Sequence, residues 1–351
     1  HSLRKQIQEN GDQPPFLYPK VMDIKKYVDQ MKKNIPIILL IDFDGTIAET
    51  ETMVFKATNM MLEKNGFPFQ WTFGEYCKLL LTGNTEARLT HYFNQKGCWP
   101  KDLTTIKERV SYVKQLKEYK DICFDLLVKE DGGTNFHSRP GIFNLMEETI
   151  IKLKGKCCIV SNTATTTVKK LFEILVLNHD REDHNKPANH YRFLLDSVHI
   201  IGGDAVAANK RKPAPDLYIK ALKEMNCNDS YNYYNVVVIE DSNDGLQAAI
   251  NANIRNVIIT KNNFTKFQNF KGASLILEEF PDDFSLESYM KYCAEYSTRI
   301  MLIEDKLIAK ALLRFTSNKS LSKKIASIYT FTEEEQSILM DGCYSEIDEF
   351  V

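Results

Sequence analysis

No run of apolar residues in this 351-residue chain approaches the roughly 18 to 20 that a bilayer-spanning helix needs; the longest, Ile35 to Ile41, is strand-sized. An excess of one charge is missing too. Lys and Arg number 45 against 47 Asp and Glu, so a formal net charge of −2 offers no basic field for nucleic acid. The eight cysteines form no C-x-x-C pair. Cys157 and Cys158 sit side by side in an apolar run, where buried reduced thiols and a reducing compartment are expected. No internal repeat is present. What remains is 43% hydrophobic and 26% charged, the balance of a soluble globular protein long enough for two domains or one with an insertion. The chain begins at His1, and a soluble cytoplasmic protein is expected, or an organellar (plastid-like) one after loss of a targeting segment.

Residues 1–34 read as a polar leader. The first buried strand is expected over Pro36 to Phe43, continuously apolar as a strand covered on both faces should be. From Glu51 to about Arg139 the periodicity is helical, with His91, Tyr92 and Phe93 expected in the packing of that region. Strands then alternate with helices, at 157–160, 197–201, 236–239, 256–260 and 274–277, which implies a parallel sheet with covered faces. The polar stretch from Asn178 to Tyr191 reads as a solvated surface insertion. Beyond Pro281 the alternation stops. Ile300 to Phe315 is amphipathic and Thr332 to Glu335 has capping-box spacing, so a helical extension over 281–351 is expected. A monomer is expected, with that extension as a surface for association.

Chemistry concentrates at strand ends. Asp42-Phe43-Asp44-Gly45-Thr46 closes the first strand, where open α/β sheets bind ligands. Taken alone, Asp-Gly is an ordinary turn. A carboxylate there can act as a nucleophile, and a second one beside it can move protons. Ser161-Asn162-Thr163 closes the second strand and opens a helix, offering a hydroxyl and backbone N–H groups for phosphate or a plain N-cap. Lys212-Pro213-Ala214-Pro215-Asp216 presents a lysine ahead of a helix that Asp216 suits as N-cap. Glu240-Asp241-Ser242 ends the fourth strand with carboxylates suited to Mg²⁺. Each feature is modest alone; four in order at strand carboxyl ends form a specific pattern.

That pattern resembles the haloacid dehalogenase superfamily, and within it the CbbY and β-phosphoglucomutase-like branch. The resemblance rests on FDGTIAETE (43–51), RPG (139–141), KPAPD (212–216) and IEDSNDGLQAA (239–249), and spans about residues 36 to 280. It implies a Rossmann-like doubly wound parallel core (35–51 plus 139–280) with an inserted all-helical cap (52–138), followed by the helical C-terminal extension. It further implies a Mg²⁺-dependent phosphatase for a small phosphorylated metabolite such as a sugar phosphate. Asp42 would be the nucleophile and Asp44 the general acid/base, with Ser161 and Lys212 holding the phosphoryl group. Asp42, Asp44, Asp241 and Glu240 would serve the metal, and Glu51, Arg88, Asn162 and Thr46 the substrate. Two departures matter. The relatives' cap lysine is missing, with Glu86 near its place, which points away from a bisphosphate. Val54 stands where mutases have His, and valine can neither relay a proton nor donate a hydrogen bond. A phosphomutase, or a non-enzymatic scaffold using the helical extension, is the competing expectation.

Overall fold

Four consecutive residues, Ile38–Ile41, form strand β1 near the middle of the sheet, and all four are buried. The computed structural model describes residues 36–129, 136–227, 235–281, 283–291 and 293. The leader, Ile300 to Phe315 and the capping-box segment at Thr332 lie outside the described residues. After β1 the chain runs through α1 (Thr50–Lys64), α2 (Phe73–Leu80), α3 (Thr85–Lys96) and α4 (Ile106–Lys129). It then alternates through α5 (Ile142–Glu147, prolonged by a π-helical turn, Glu148–Lys152), β2 (Lys156–Val160), α6 (Thr165–Glu182) and β3 (Val198–Ile201). Next come α7 (Asp216–Glu224), β4 (Val236–Glu240), α8 (Asn243–Asn251), β5 (Asn256–Thr260) and β6 (Leu275–Leu277).

All neighbouring strands are parallel, in the order β3-β2-β1-β4-β5-β6. This is the doubly wound order, whose winding reverses between β1 and β4 and so opens a crevice at their carboxyl ends. Strand alternation sends side chains to two cores. Leu39, Ile41, Cys157, Ile159, Val237 and Ile239 face one apolar cluster, which α5 and α6 cover. Ile38, Leu40, Cys158, Val160, Val236 and Val238 face the other, under α7 and α8. The adjacent cysteines thus enter opposite cores, and the seven described cysteines are all free thiols.

The helices between β1 and β2 begin at local signals. Thr72 and Glu75 make a reciprocal capping box at α2, and the Asn84 side chain accepts from Ala87 N (2.9 Å) at α3. Helix α1 packs along α4. Tyr92 and Phe93 are buried as expected, whereas His91 is exposed. Asp216 is not the N-cap of α7: Pro215 holds that position, and Asp216 is the first helical residue. Its charge still favours the positive helix end.

The stretch 178–191 is solvated in its middle, where 184–185 and 187–189 are exposed, but anchored at both ends. Helix α6 continues to Glu182; Asn178 is buried and donates to Phe136 O (2.9 Å). Tyr191 is fully buried, with its hydroxyl on Asn144 and Asp183 (3.1 and 3.2 Å). One aromatic anchor and a helix overrun outweigh the polar composition between them. Nor does the core end at 280. Leu286, Tyr289, Met290 and Cys293 join the apolar cluster on the α5 side. Glu148 accepts from Ser285 Oγ and Leu286 N (2.7 and 2.8 Å).

Arg139 is buried and fastens the loop after β1 to the far strands. Its guanidinium donates to Gly45 O (2.7 Å), Thr260 O (2.9 Å), Lys261 O (2.7 Å) and Glu278 O (2.9 Å). Only a planar fork of several N–H groups serves four carbonyls at once. Arg139→Met is expected to lower stability by about 3–5 kcal/mol in urea unfolding, because those buried carbonyls lose their donors. An unchanged midpoint and slope would contradict this role.

Candidate active site

Asp42 follows β1, and its N–H donates to Ile239 O (3.0 Å), so the β1–β4 pairing continues up to the carboxylate. Glu240 ends β4 and Asp241 follows it. Oxygens of Asp42, Glu240 and Asp241, all three buried, lie within 4.8 Å of one another. Lys212 reaches between them from the loop before α7. Its ammonium donates to Asp42 Oδ1, Glu240 Oε1 and Val160 O, each at 2.6 Å. Glu240 is held on both oxygens: Tyr218 OH also donates to Oε1 (2.6 Å), and Ser242 Oγ and Asp241 N donate to Oε2 (3.3 Å each). No Cβ fits at Gly245, where it would lie 1.9 Å from the Glu240 carboxyl carbon. The lysine stem is fixed as well. Lys212 N donates to Asn162 Oδ1 (2.9 Å) and Asn162 Nδ2 donates to Lys212 O (3.2 Å).

The electrostatics are unbalanced. Burial pushes Asp42 well above the usual carboxylate range, and Glu240 adds to this while Lys212 opposes it. Asp241 is raised for the same first reason, then by Asp42 and Glu240. Burial alone would lower Lys212, but Asp42 and Glu240 outweigh it and hold the ammonium protonated. One ammonium among several carboxylates leaves a surplus of negative charge.

Asp44 sits in a cage of hydroxyls. Thr50 Oγ1 donates to its Oδ1 (2.9 Å), and Ser161 Oγ and Thr163 Oγ1 donate to its Oδ2 (3.0 and 2.7 Å). The loop folds tightly enough for this because Gly45 adopts φ +85°. A Cβ there would meet Asp241 Oδ2 at 2.4 Å.

Above these groups lies a cavity of about 930 Å³. Asp42, Asp44, Asn162, Lys212 and Asp241 line its sheet side. Glu51, Val54, Arg88 and Lys120 line its helical side. There Tyr76 OH donates to Glu51 Oε2 (2.6 Å) and accepts from Arg88 Nη1 (3.2 Å), linking α1, α2 and α3. Lys120, from α4, is mostly buried and pairs with Asp121 (2.6 Å).

The structure therefore brings together most of the residues singled out from the sequence. Ser161 and Glu240 stand directly behind the lining, and the Asn162 amide grips Lys212 rather than facing the cavity alone. Thr46 is fully buried and away from the cavity, and its hydroxyl has no partner among the described residues. Sequence reasoning gave no role to Thr50 and Thr163, although both lie inside the motifs, and missed Tyr218, Lys120 and Asn262, whose Nδ2 donates to Asp241 Oδ2 (2.7 Å). The last three had no local signal, since their roles depend on chain segments distant in sequence.

The family model described as haloacid dehalogenase-like hydrolase matches residues 38–253. The protein CbbY of Cereibacter sphaeroides is 31% identical over 244 residues, covering 70% of this chain and 92% of its own. CbbY from Rhodobacter sphaeroides in complex with phosphate has a TM-score of 0.55 and 27% identity, over 72% of this chain and 98% of that one. A mutant of it in complex with xylulose-(1,5)bisphosphate gives 0.54 and 27% with the same coverage. By its matched span and by the strand-end carboxylates gathered round Lys212, this chain belongs to the haloacid dehalogenase-like hydrolases, in their CbbY-like branch, and is a phosphatase.

Proposed function

We propose that the chain is a Mg²⁺-dependent phosphatase of a small sugar phosphate that works through an aspartyl-phosphate on Asp42. The observation that carries this reading is the carboxylate surplus at the β1 and β4 ends around one buried ammonium. That donor set suits a hard divalent ion with oxygen ligands. The Asp42 and Asp241 carboxylates and the Asp44 backbone carbonyl would hold Mg²⁺, with Glu240 beside them fixing Lys212. Bound there, the ion would neutralise charge that otherwise repels an anionic substrate.

The chain's own groups supply the rest. Asp42 Oδ2, which has no donor among the described residues, attacks phosphorus, and the bond from phosphorus to the leaving oxygen breaks. Asp44 gives that oxygen its proton, then takes one from the water that attacks the phospho-aspartate. The phosphorus–Asp42 bond breaks and inorganic phosphate leaves. Lys212, beside Asp42, would hold the phosphoryl oxygens, and Ser161 would join it by turning its hydroxyl away from Asp44. Hydroxyls turn from donor to acceptor, so the cage of Thr50, Ser161 and Thr163 accommodates Asp44 in both proton states. The inserted helices, over about 52–138, act as a cap domain on the sheet-bearing core, closing out water while the intermediate forms. Val54 on the cavity wall offers no proton relay, which fits hydrolysis rather than phosphoryl return.

Arg88 and Lys120 on the helical side suit a second anionic group, and Lys120 supplies a cation that Glu86 does not. The related CbbY bound to xylulose-(1,5)bisphosphate makes a sugar bisphosphate the first substrate to try. Phosphate release from a panel of sugar phosphates and bisphosphates is expected only with Mg²⁺. Lys120→Met and Arg88→Ala are each expected to raise KM for a bisphosphate about 10- to 100-fold with kcat on a small aryl phosphate little changed. No Mg²⁺-dependent release from any sugar phosphate would overturn the function; equal loss on both substrate types would overturn the second-anion reading alone.

A further inference from the structure

Asn262 lies in the loop after β5, outside every motif at the strand ends that the sequence displays. It is 8% exposed, and each end of its amide is engaged. Nδ2 donates to Asp241 Oδ2 (2.7 Å) and to Gly45 O (3.3 Å). Oδ1 accepts from Phe264 N (2.9 Å) and Thr265 N (3.0 Å), which locks the loop into a tight turn and fixes the amide's orientation. The loop is anchored again at Gln268, whose Oε1 accepts from Asn243 N (2.7 Å) at the start of α8. On its other side Phe264 packs on Phe73 and Tyr76 of α2, ring centroids 5.1 and 5.8 Å apart.

Asp241 without this amide would be a buried carboxylate on a short connection between β4 and α8, repelled by Asp42 and Glu240. A single neutral donor on Oδ2 fixes the plane of the carboxylate and leaves Oδ1 without a donor among the described residues. The same donor reaches the Gly45 carbonyl, so one side chain spaces the loop after β1 against the loop after β4. Those two loops carry the oxygens proposed above as Mg²⁺ ligands.

We infer that Asn262 is a positioning residue for the divalent cation, holding Asp241 and the Gly45 turn at the separation the ion requires before it arrives. This rests on the Mg²⁺ reading of the site. Pre-organisation of this kind acts on affinity rather than on the chemical step, because a saturating ion re-imposes the geometry the amide otherwise maintains.

Mg²⁺ binding is measured by calorimetry on the full chain, without substrate, for wild type, Asn262→Ala, Asn262→Ser and Gln268→Ala. Side chains that hydrogen-bond to metal ligands are worth roughly 10- to 100-fold in affinity. Asn262→Ala is expected to weaken Mg²⁺ binding by about that factor, with kcat at saturating Mg²⁺ within a few-fold of wild type. Asn262→Ser, whose hydroxyl can both accept from the turn and donate once, is expected to recover part of the loss. Gln268→Ala loosens the loop without touching Asp241 and is expected to leave the Mg²⁺ affinity within about twofold, far short of the loss expected for Asn262→Ala. Wild-type affinity in Asn262→Ala, or an equal loss in Gln268→Ala, would overturn the inference. A wild type that binds no Mg²⁺ would instead overturn the metal reading beneath it.

Discussion

Replacing Lys212 with methionine is expected to unfold the protein more readily and to silence it. The Lys212 side chain is 3% exposed, and its ammonium is shared between Asp42 and Glu240. Removing one partner of a buried charge cluster costs about 3–5 kcal/mol, since the remaining charges stay desolvated and uncompensated. Here two carboxylates are left facing each other, so the loss belongs at the upper end of that range. It is read by urea denaturation of the metal-free protein near neutral pH. Lowering the pH should restore part of the stability. Asp42 already stands above the usual carboxylate range in the wild type, and loss of Lys212 removes an influence that lowers it. A group whose folded-state pKa is raised stabilises below its unfolded value and loses that contribution as pH rises through the folded one. Adding Glu240→Gln to Lys212→Met should likewise recover stability without recovering activity. A Lys212→Met protein as stable as wild type at neutral pH would remove the lysine from the centre of the account.

Asp42→Asn should have the opposite signature. The amide keeps the shape of the carboxylate but cannot form an acyl phosphate, so kcat/KM is expected to fall about 10⁴-fold or more. Stability of the metal-free protein should rise, by about 1–2 kcal/mol, as is common when a strained functional charge is removed. The gain should be present at neutral pH and disappear in acid, where wild-type Asp42 is itself protonated. Mg²⁺ should stabilise wild type and leave the variant nearly unmoved. Loss of activity together with loss of stability would instead mark Asp42 as a structural group.

Much of this was legible in the chain. Strands buried on both faces announce themselves as continuous apolar runs, and those at Ile38–Ile41 and Val236–Glu240 end at the acidic residues that matter. The strand positions and their parallel sense followed from that, and the strand-end motifs with the family they resemble pointed to the meeting of Asp42, Asp44, Lys212 and Asp241. What stayed hidden depends on three-dimensional proximity. Nothing near Asn262 marks it as a partner of Asp241, and Lys120 reads as one charge on an amphipathic helix until α4 is laid over the cavity. Composition misled where it was averaged. The polar stretch around His184 obscured the buried Tyr191 at its end, and the break at Pro281 obscured the apolar side chains of Leu286 and Tyr289 that continue the core. Thr46 misled in the other direction, since membership of a motif did not place its side chain in the cavity.

The central claim concerns where the phosphoryl group goes, and it can be read directly. Wild-type enzyme turning over a phosphorylated substrate with Mg²⁺ is quenched in acid, reduced with borohydride and mapped by mass spectrometry. A phospho-aspartate is reduced to homoserine, so the account predicts homoserine at position 42 and nowhere else, and none without substrate or Mg²⁺. Phosphate release at full rate with an unmodified Asp42, or reduction at another carboxylate, would contradict it.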